Sequence, residues 1–212
     1  MSNIAGKSYA MNVVTPLRWY TRWLTKAIFL FASIRPSTTK GLLTLSLIHY
    51  ARWVIIKPSQ FPRLSDDQPR EDLKYNYMLF FSNFNGSWAQ YVDSFSSAIP
   101  GGLDLFWFRN IKYPKSVPML PFHDYITSNQ VWTNHYFNSN PMASSNDVKS
   151  GRKVKDTLGE FINKTVNASP EEFQKEYDRM LIELQHDISQ MAPTPVVSLP
   201  AAAAEKRRGM EN

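Results

Sequence analysis

Residues 74–99 constrain the fold most, because they predict a strand, a turn and a helix in direct succession. The run KYNYMLFFSNF, residues 74–84, is rich in aromatic side chains and contains no proline, which is typical of a strand buried on both faces. Asn85 and Gly86 predict a turn and Ser87 predicts a helix N-cap. Apolar residues then follow at helical spacing, namely Trp88, Tyr91, Val92, Phe95 and Ile99.

Further strands and helices are predicted on both sides of this segment. Upstream, LIHYARWVIIK, residues 47–57, predicts a strand in its second half. The elements predicted downstream are a strand over 103–110, a helix over 122–130, a strand over 131–137, a helix over 145–165, and a helix that begins at a capping box on Ser169 and ends before Pro193. This order favours an α+β fold with a ferredoxin-like sheet, an N-terminal amphipathic helical arm and a C-terminal helical pair.

Charge is distributed unevenly along the chain. The first 65 residues contain nine Lys or Arg and no Asp or Glu, whereas the rest of the chain carries fifteen basic and eighteen acidic residues. A basic, acid-free and aromatic segment attached to a nearly neutral body is typical of binding to a polyanion or to an anionic membrane face.

The segment TPLRWYTRWLTKAIFLFASIRP, residues 15–36, predicts a basic amphipathic helix. Thr15 fits the N-cap, Pro16 the first helical position, and Pro36 ends the helix. Its uninterrupted apolar run, residues 27–34, is shorter than the ~20 residues that span a bilayer, so we expect an interfacial helix. The residues predicted to contact the membrane or a partner are Arg18, Trp19, Arg22, Trp23, Lys26, Phe29, Phe31 and Arg35.

Two other interpretations of this segment remain open. The helix could pack on the protein's own core and leave its basic face to solvent. Basic residues interleaved with Trp and Tyr could instead bind nucleic acid. The sequence contains no familiar nucleic-acid motif, and the apolar content of residues 27–34 and 41–56 exceeds what such an arm needs, so nucleic acid is the less favoured partner.

Several kinds of chemistry are excluded or lack a sequence signal. The chain contains no cysteine, which excludes disulfides, zinc–thiolate sites, iron–sulfur clusters and cysteine nucleophiles. The four histidines show no metal-ligand spacing, so no metal is predicted. Neither a glycine-rich phosphate loop nor a GxSxG elbow occurs. Asn83 is singled out because it lies at a strand end beside a predicted helix N-terminus, where an anion could bind.

The central segment also carries a resemblance. KYNYMLFFSNFNGSWAQYVDSFSSAIPGGLDLFWF, the later PFHDYI and the earlier LSLIHYARWVI resemble a group of bacterial proteins of unassigned function, over roughly residues 45–165. The central segment of that group is similar to halves of dimeric α+β barrel proteins, which implies this fold and a homodimer. The barrel superfamily includes haem-dependent peroxidases and small monooxygenases. The alternative function is therefore an enzyme acting on an apolar small molecule. In its haem version, His123 or His135 would be the proximal ligand and Arg109 a polar partner in the pocket.

These observations predict three regions: a basic membrane-interface arm over 1–45, an α+β domain over 46–191 and a disordered tail over 192–212. The leading hypothesis is a non-catalytic accessory or adaptor subunit on the cytoplasmic face of a membrane. It would dock on anionic lipid or on an integral membrane protein complex. A carrier of lipid or another hydrophobic ligand is a further alternative. Apart from haem in the enzyme alternative, no cofactor is predicted.

Overall fold

One antiparallel sheet with the strand order β1–β2–β4–β3 organises the protein. The computed structural model describes residues 3–35, 47–71 and 73–188. The strands are β1 (Ile4–Ala5), β2 (Ser8–Leu17), β3 (Ile48–Ile56) and β4 (Asn76–Asn85). The α+β class is as predicted, and β4 lies where the sequence predicted a strand. Strand β3 covers nearly the whole of residues 47–57, of which only the second half was predicted as a strand. The predicted tail over 192–212 lies outside the described residues.

The central strand β4 pairs with β2 on one side and with β3 on the other. Its side chains alternate between the two faces of the sheet, as the pleat requires. Met78, Phe80 and Phe84 are buried under the helices, whereas Phe81 is only half-buried on the opposite face. The expectation that this strand is buried on both faces is therefore wrong. We call the face that carries Phe81 the open face of the sheet.

Six helices occur in the described part of the chain. They are α1 (Arg22–Ile34), α2 (Trp88–Ala98), α3 (Pro100–Trp107), α4 (Met119–Ser128), α5 (Ser145–Thr165) and α6 (Pro170–Leu184). The core lies between the sheet and the first four helices, where the Tyr91 ring stacks on Phe84 at 3.7 Å and Phe84 stacks on Tyr9 at 4.8 Å. None of these helices is long and apolar enough to cross a bilayer.

Three helices begin at the capping boxes that the chain provides at Ser87, Ser144 and Ser169. At Ser87, the hydroxyl accepts the N–H of Gln90 at 3.3 Å, and the Gln90 side chain accepts the N–H of Ser87 at 3.2 Å. Each box satisfies backbone donors that the first helical turn leaves free. The helices predicted from Trp88, over 145–165 and from Ser169 are therefore confirmed, although α6 ends at Leu184.

The N-terminal prediction needs a correction, because residues 15–17 belong to strand β2 and the helix begins only at Arg22. Thr15 and Pro16 resemble a helix start, but the buried side chains of β2 follow a period of two from residue 11 to residue 17. Pairing with β4 along the whole strand overrides the local helix signal. The segment predicted as an arm therefore contributes a strand to the sheet.

Two predicted strands are also wrong. Residues 103–110 lie mainly in helix α3, where Leu103 and Trp107 are buried one turn apart. Pro100 is the first residue of this helix, a position that proline favours. Residues 131–137 form no strand in the structure. They run along the edge of β2, where the Val131 N–H donates to the carbonyl of Asn12 at 2.8 Å.

Candidate functional site

Helix α1 contacts the body of the protein through one narrow face. Thr25 is completely buried on this face, and the Phe29 ring lies 5.5 Å from Phe106 and 6.2 Å from Trp53. Phe29 was predicted to face a membrane or partner, but in the structure it packs on the body. These contacts fix which side of α1 faces outward.

The outward side of α1 exposes large apolar side chains along its whole length. Trp23, Leu30 and Ile34 follow at spacings of seven and four residues, and Phe31 lies beside them. Their exposed fractions run from 50% for Phe31 to 69% for Ile34. An exposed apolar stripe of this kind is a candidate interaction surface. Trp19 and Tyr20, in the 3-10 turn before the helix, continue it and are also exposed.

Basic side chains flank this stripe. Arg22 and Lys26 lie one helical turn apart, and Arg18 donates from Nη1 to the Tyr20 hydroxyl at 2.9 Å. The Arg35 guanidinium lies over the Phe31 ring, 5.5 Å from its centre. We define the α1 surface as the stripe and these cations, namely Arg18, Trp19, Tyr20, Arg22, Trp23, Lys26, Leu30, Phe31, Ile34 and Arg35. Sequence reasoning did not select Leu30 or Ile34, although their spacing from Trp23 was visible.

A second candidate site is a cleft of about 630 Å³ at one end of the open face of the sheet. Its lining residues are Ser8 of β2, His49 and Tyr50 of β3, Asn83 of β4, residues 135–140, Ala143, and Val148 of α5. The segment between α4 and α5 therefore forms one wall. Long connections of this kind, without helix or strand, often carry binding residues.

Polar side chains inside the cleft bond to one another. Asn83 donates from Nδ2 to the Tyr136 hydroxyl at 2.6 Å, and Asn138 donates from Nδ2 to the Ser8 hydroxyl at 2.8 Å. Burial raises the pKa of Tyr136, against smaller opposing contributions from Ser8 and Asn83. Burial lowers the pKa of His49, with a smaller opposing contribution from the Asn85 side chain. Both groups are therefore predominantly uncharged at neutral pH.

The wall formed by the α4–α5 connection is fixed by several hydrogen bonds. The Thr133 N–H donates to Asn3 Oδ1 at 2.7 Å, and the Lys7 N–H donates to the carbonyl of Pro141 at 2.7 Å. The buried amide of Asn85 accepts from the Ser145 N–H at 2.9 Å and thereby holds the start of α5 against β4. These hydrogen bonds hold this wall of the cleft in place.

The residues predicted for anion or haem binding, namely Asn83, Arg109, His123 and His135, do not all come together. Asn83 and His135 line the cleft, whereas Arg109 donates to the carbonyl of Leu105 on α3. His123 lies on α4 with its Nε2 atom 2.5 Å from Asp93 Oδ1 of α2. The cleft therefore contains His135 without Arg109. Asn83 is also occupied by Tyr136, so its side chain is not free at a helix N-terminus.

No group of three or more potential metal ligands occurs in residues 3–35, 47–71 and 73–188. Comparisons with models of protein families, with curated proteins and with solved structures found no match. The two candidate sites therefore have to be interpreted from their own geometry and chemistry.

Proposed function

We propose that this protein is a non-catalytic peripheral membrane protein that docks on an anionic lipid surface through the α1 surface. The observation that supports this proposal is the apolar stripe on α1, which is exposed although the helix is anchored on the body by Thr25 and Phe29. A lipid surface accounts for both the stripe and its flanking cations.

The charges identify the kind of surface. The α1 surface carries Arg18, Arg22, Lys26 and Arg35 within a stretch of 65 residues that has no acidic residue. Each Lys or Arg close to an anionic leaflet contributes about 1 kcal/mol to binding. Tryptophan side chains such as Trp19 and Trp23 favour the headgroup region. The cytoplasmic leaflet is the anionic one, so we assign the protein to the cytoplasmic face as an accessory or adaptor subunit.

The finer fold assignment is also a proposal. The strand order β2–β4–β3 with all neighbours antiparallel is the order of three strands in a ferredoxin-like sheet. Gln130 forms a bridge with Val13 on the side of β2 away from β4, beyond its short pairing with β1, where the fourth strand of that fold would lie. The strand order and this bridge support a ferredoxin-like body in which α1 lies on the face of the sheet that the helices cover.

The test is co-flotation of the full chain with vesicles. A deletion of residues 1–40 is unsuitable as a test, because it would also remove strand β2 from the sheet. The variant is therefore the double substitution Arg22→Gln/Lys26→Gln. The matched control is Arg152→Gln/Lys155→Gln, which removes the same charges from exposed positions on α5. We expect the native protein to float with equal parts of phosphatidylcholine and phosphatidylglycerol but not with phosphatidylcholine alone. Loss of two cations should weaken binding by about 30-fold, while the control should bind as the native protein does.

Two outcomes would contradict the proposal. If the control variant lost as much binding as the α1 variant, net charge rather than the α1 surface would explain the result. If the protein bound native membranes but not protein-free anionic vesicles, the partner would be an integral membrane protein and docking on lipid would be refuted.

A further inference from the structure

We propose that the cleft on the open face of the sheet is a binding site for an uncharged small molecule that carries a ring and hydroxyl groups. This inference does not rest on membrane docking, because the cleft and the α1 surface share no residue. Its volume of about 630 Å³ lies within the range of roughly 300–1,000 Å³ that is typical of small-molecule sites.

Rings from two distant parts of the sequence meet in the cleft. His49 and Tyr50 come from β3, and His135, Tyr136 and Phe137 come from the α4–α5 connection. Phe137 is 77% exposed, so it has apolar surface that a ligand can cover. Aromatic side chains prefer offset-stacked or edge-to-face contacts with other rings, which favours a ligand that contains a ring.

The chemistry of the lining selects against charge. None of the described residues that line the cleft is Asp, Glu, Lys or Arg. A charged ligand would lose hydration there without gaining an opposite charge, and this loss is costly. An uncharged ligand avoids the cost.

Amide and hydroxyl groups provide the polar contacts. Asn83, Asn138 and Asn140 line the cleft, and each amide nitrogen has a second hydrogen besides the one already donated to Tyr136, Ser8 or Ser139. Each side-chain amide also has an acceptor oxygen. A hydroxyl group on a ligand can donate to an amide oxygen and accept from an amide N–H, so it matches both kinds of group. The hydrogen bonds from Asn83 to Tyr136 and from Asn138 to Ser8 hold two of the amides in place. The site therefore has fixed polar groups beside apolar rings.

The experiment is an NMR titration of the isotope-labelled full chain with three probes that share a phenol ring. 4-Hydroxybenzyl alcohol is neutral, 4-hydroxybenzoate is an anion and tyramine is a cation. We expect the alcohol to bind with a Kd of about 1 mM and to shift the signals of cleft residues. The two charged probes should bind at least about tenfold more weakly, which corresponds to about 1.4 kcal/mol.

Two variants locate the binding. Phe137→Ala removes a ring at the cleft, and Phe108→Ala is its control because Phe108 is 63% exposed at the end of α3. Both side chains are mostly exposed, so neither truncation should unfold the protein. We expect Phe137→Ala to weaken binding of the alcohol severalfold and Phe108→Ala to leave it unchanged. Absence of binding, shifts outside the cleft, equal binding of a charged probe, or unchanged binding by Phe137→Ala would each overturn the proposal.

Discussion

The double substitution Leu30→Ala/Ile34→Ala isolates the apolar part of membrane docking. Both side chains lie on the outward face of α1, and their exposed fractions are 62% and 69%. Neither is covered by the body, so both can enter the headgroup region of a bilayer. Alanine keeps the helix intact, because it has the highest helix propensity.

The expected effect follows from these exposed fractions. Complete burial of a Leu or Ile side chain contributes about 1.5–3 kcal/mol. About two thirds of each side chain is exposed and available to lipid, and alanine retains a small part of the contact. The pair should therefore lose about 2–3 kcal/mol of membrane affinity, which corresponds to a fall in the partition coefficient of about 30- to 150-fold. The free energy of unfolding should change by less than about 0.5 kcal/mol, because truncating exposed side chains affects the folded state little.

A matched control separates docking from general hydrophobicity. Leu120→Ala/Ile182→Ala makes the same chemical change at positions that are 76% and 69% exposed on α4 and α6. Partition coefficients would be measured by sedimentation of sucrose-loaded anionic vesicles, and unfolding by circular dichroism in urea. If both double variants partitioned alike while remaining folded, the α1 surface would not be the docking site.

The remaining predictions concern stability. Gly6 has a positive φ of 62°, and a Cβ at this position would overlap the carbonyl of Pro141. Gly6→Ala should therefore lower the free energy of unfolding, measured by urea titration, by at least about 2 kcal/mol. Ser87→Ala removes the cap of α2 and should cost about 1 kcal/mol in the same assay, whereas an unchanged midpoint would contradict that role. The pKa of Asp147 is held below its ordinary value of 3.8, chiefly by the backbone N–H of Ser144. The ionised carboxylate therefore contributes fully to stability above pH 3.8, and this contribution is lost as the pH falls through the lower pKa of the folded state. The difference in unfolding free energy between the native protein and Asp147→Asn should therefore become smaller as the pH is lowered.

Local signals predicted those elements whose ends the sequence marks explicitly. The starts of α2 and α6 were predicted from the serine caps at Ser87 and Ser169, which act within one turn. Strand β4 was found because its run is rich in aromatic residues and is not interrupted by proline. These features depend only on neighbouring residues, so no knowledge of the tertiary structure was needed.

The errors arose where two local patterns compete. Thr15–Pro16 resembles a helix start, yet the same residues continue the alternation of β2, and only the partner strand β4 decides between the two patterns. LDLFWF, residues 103–108, fits either an apolar strand or a short helix, and Pro100 in the first turn settles it as a helix. In both cases the deciding contact or cap lies outside the segment that was interpreted.

The candidate sites were only partly predictable for a related reason. The cleft joins residues 49–50 to residues 135–137, and no local pattern indicates that these segments meet. His123 was misplaced because its contact with Asp93 joins two helices whose packing the sequence does not state. By contrast, the basic and aromatic character of the α1 surface was visible directly, since it depends on composition and spacing within one helix.

The orientation of α1 connects the fold to the proposed function. The last turns of α1 are apolar on almost every side, so burial of apolar area alone does not select which side faces the body. The selection comes from Phe29, which joins Trp53 and Phe106 in an aromatic cluster. Once Phe29 occupies that cluster, Leu30 and Ile34 must face outward, because they lie roughly 100° and 140° away around the helix. Their apolar character adds little to the stability of the body, since both side chains remain mostly exposed. An apolar stripe that the described part of the fold leaves exposed, beside cations and without nearby acids in the sequence, supports our proposal that α1 docks on a membrane.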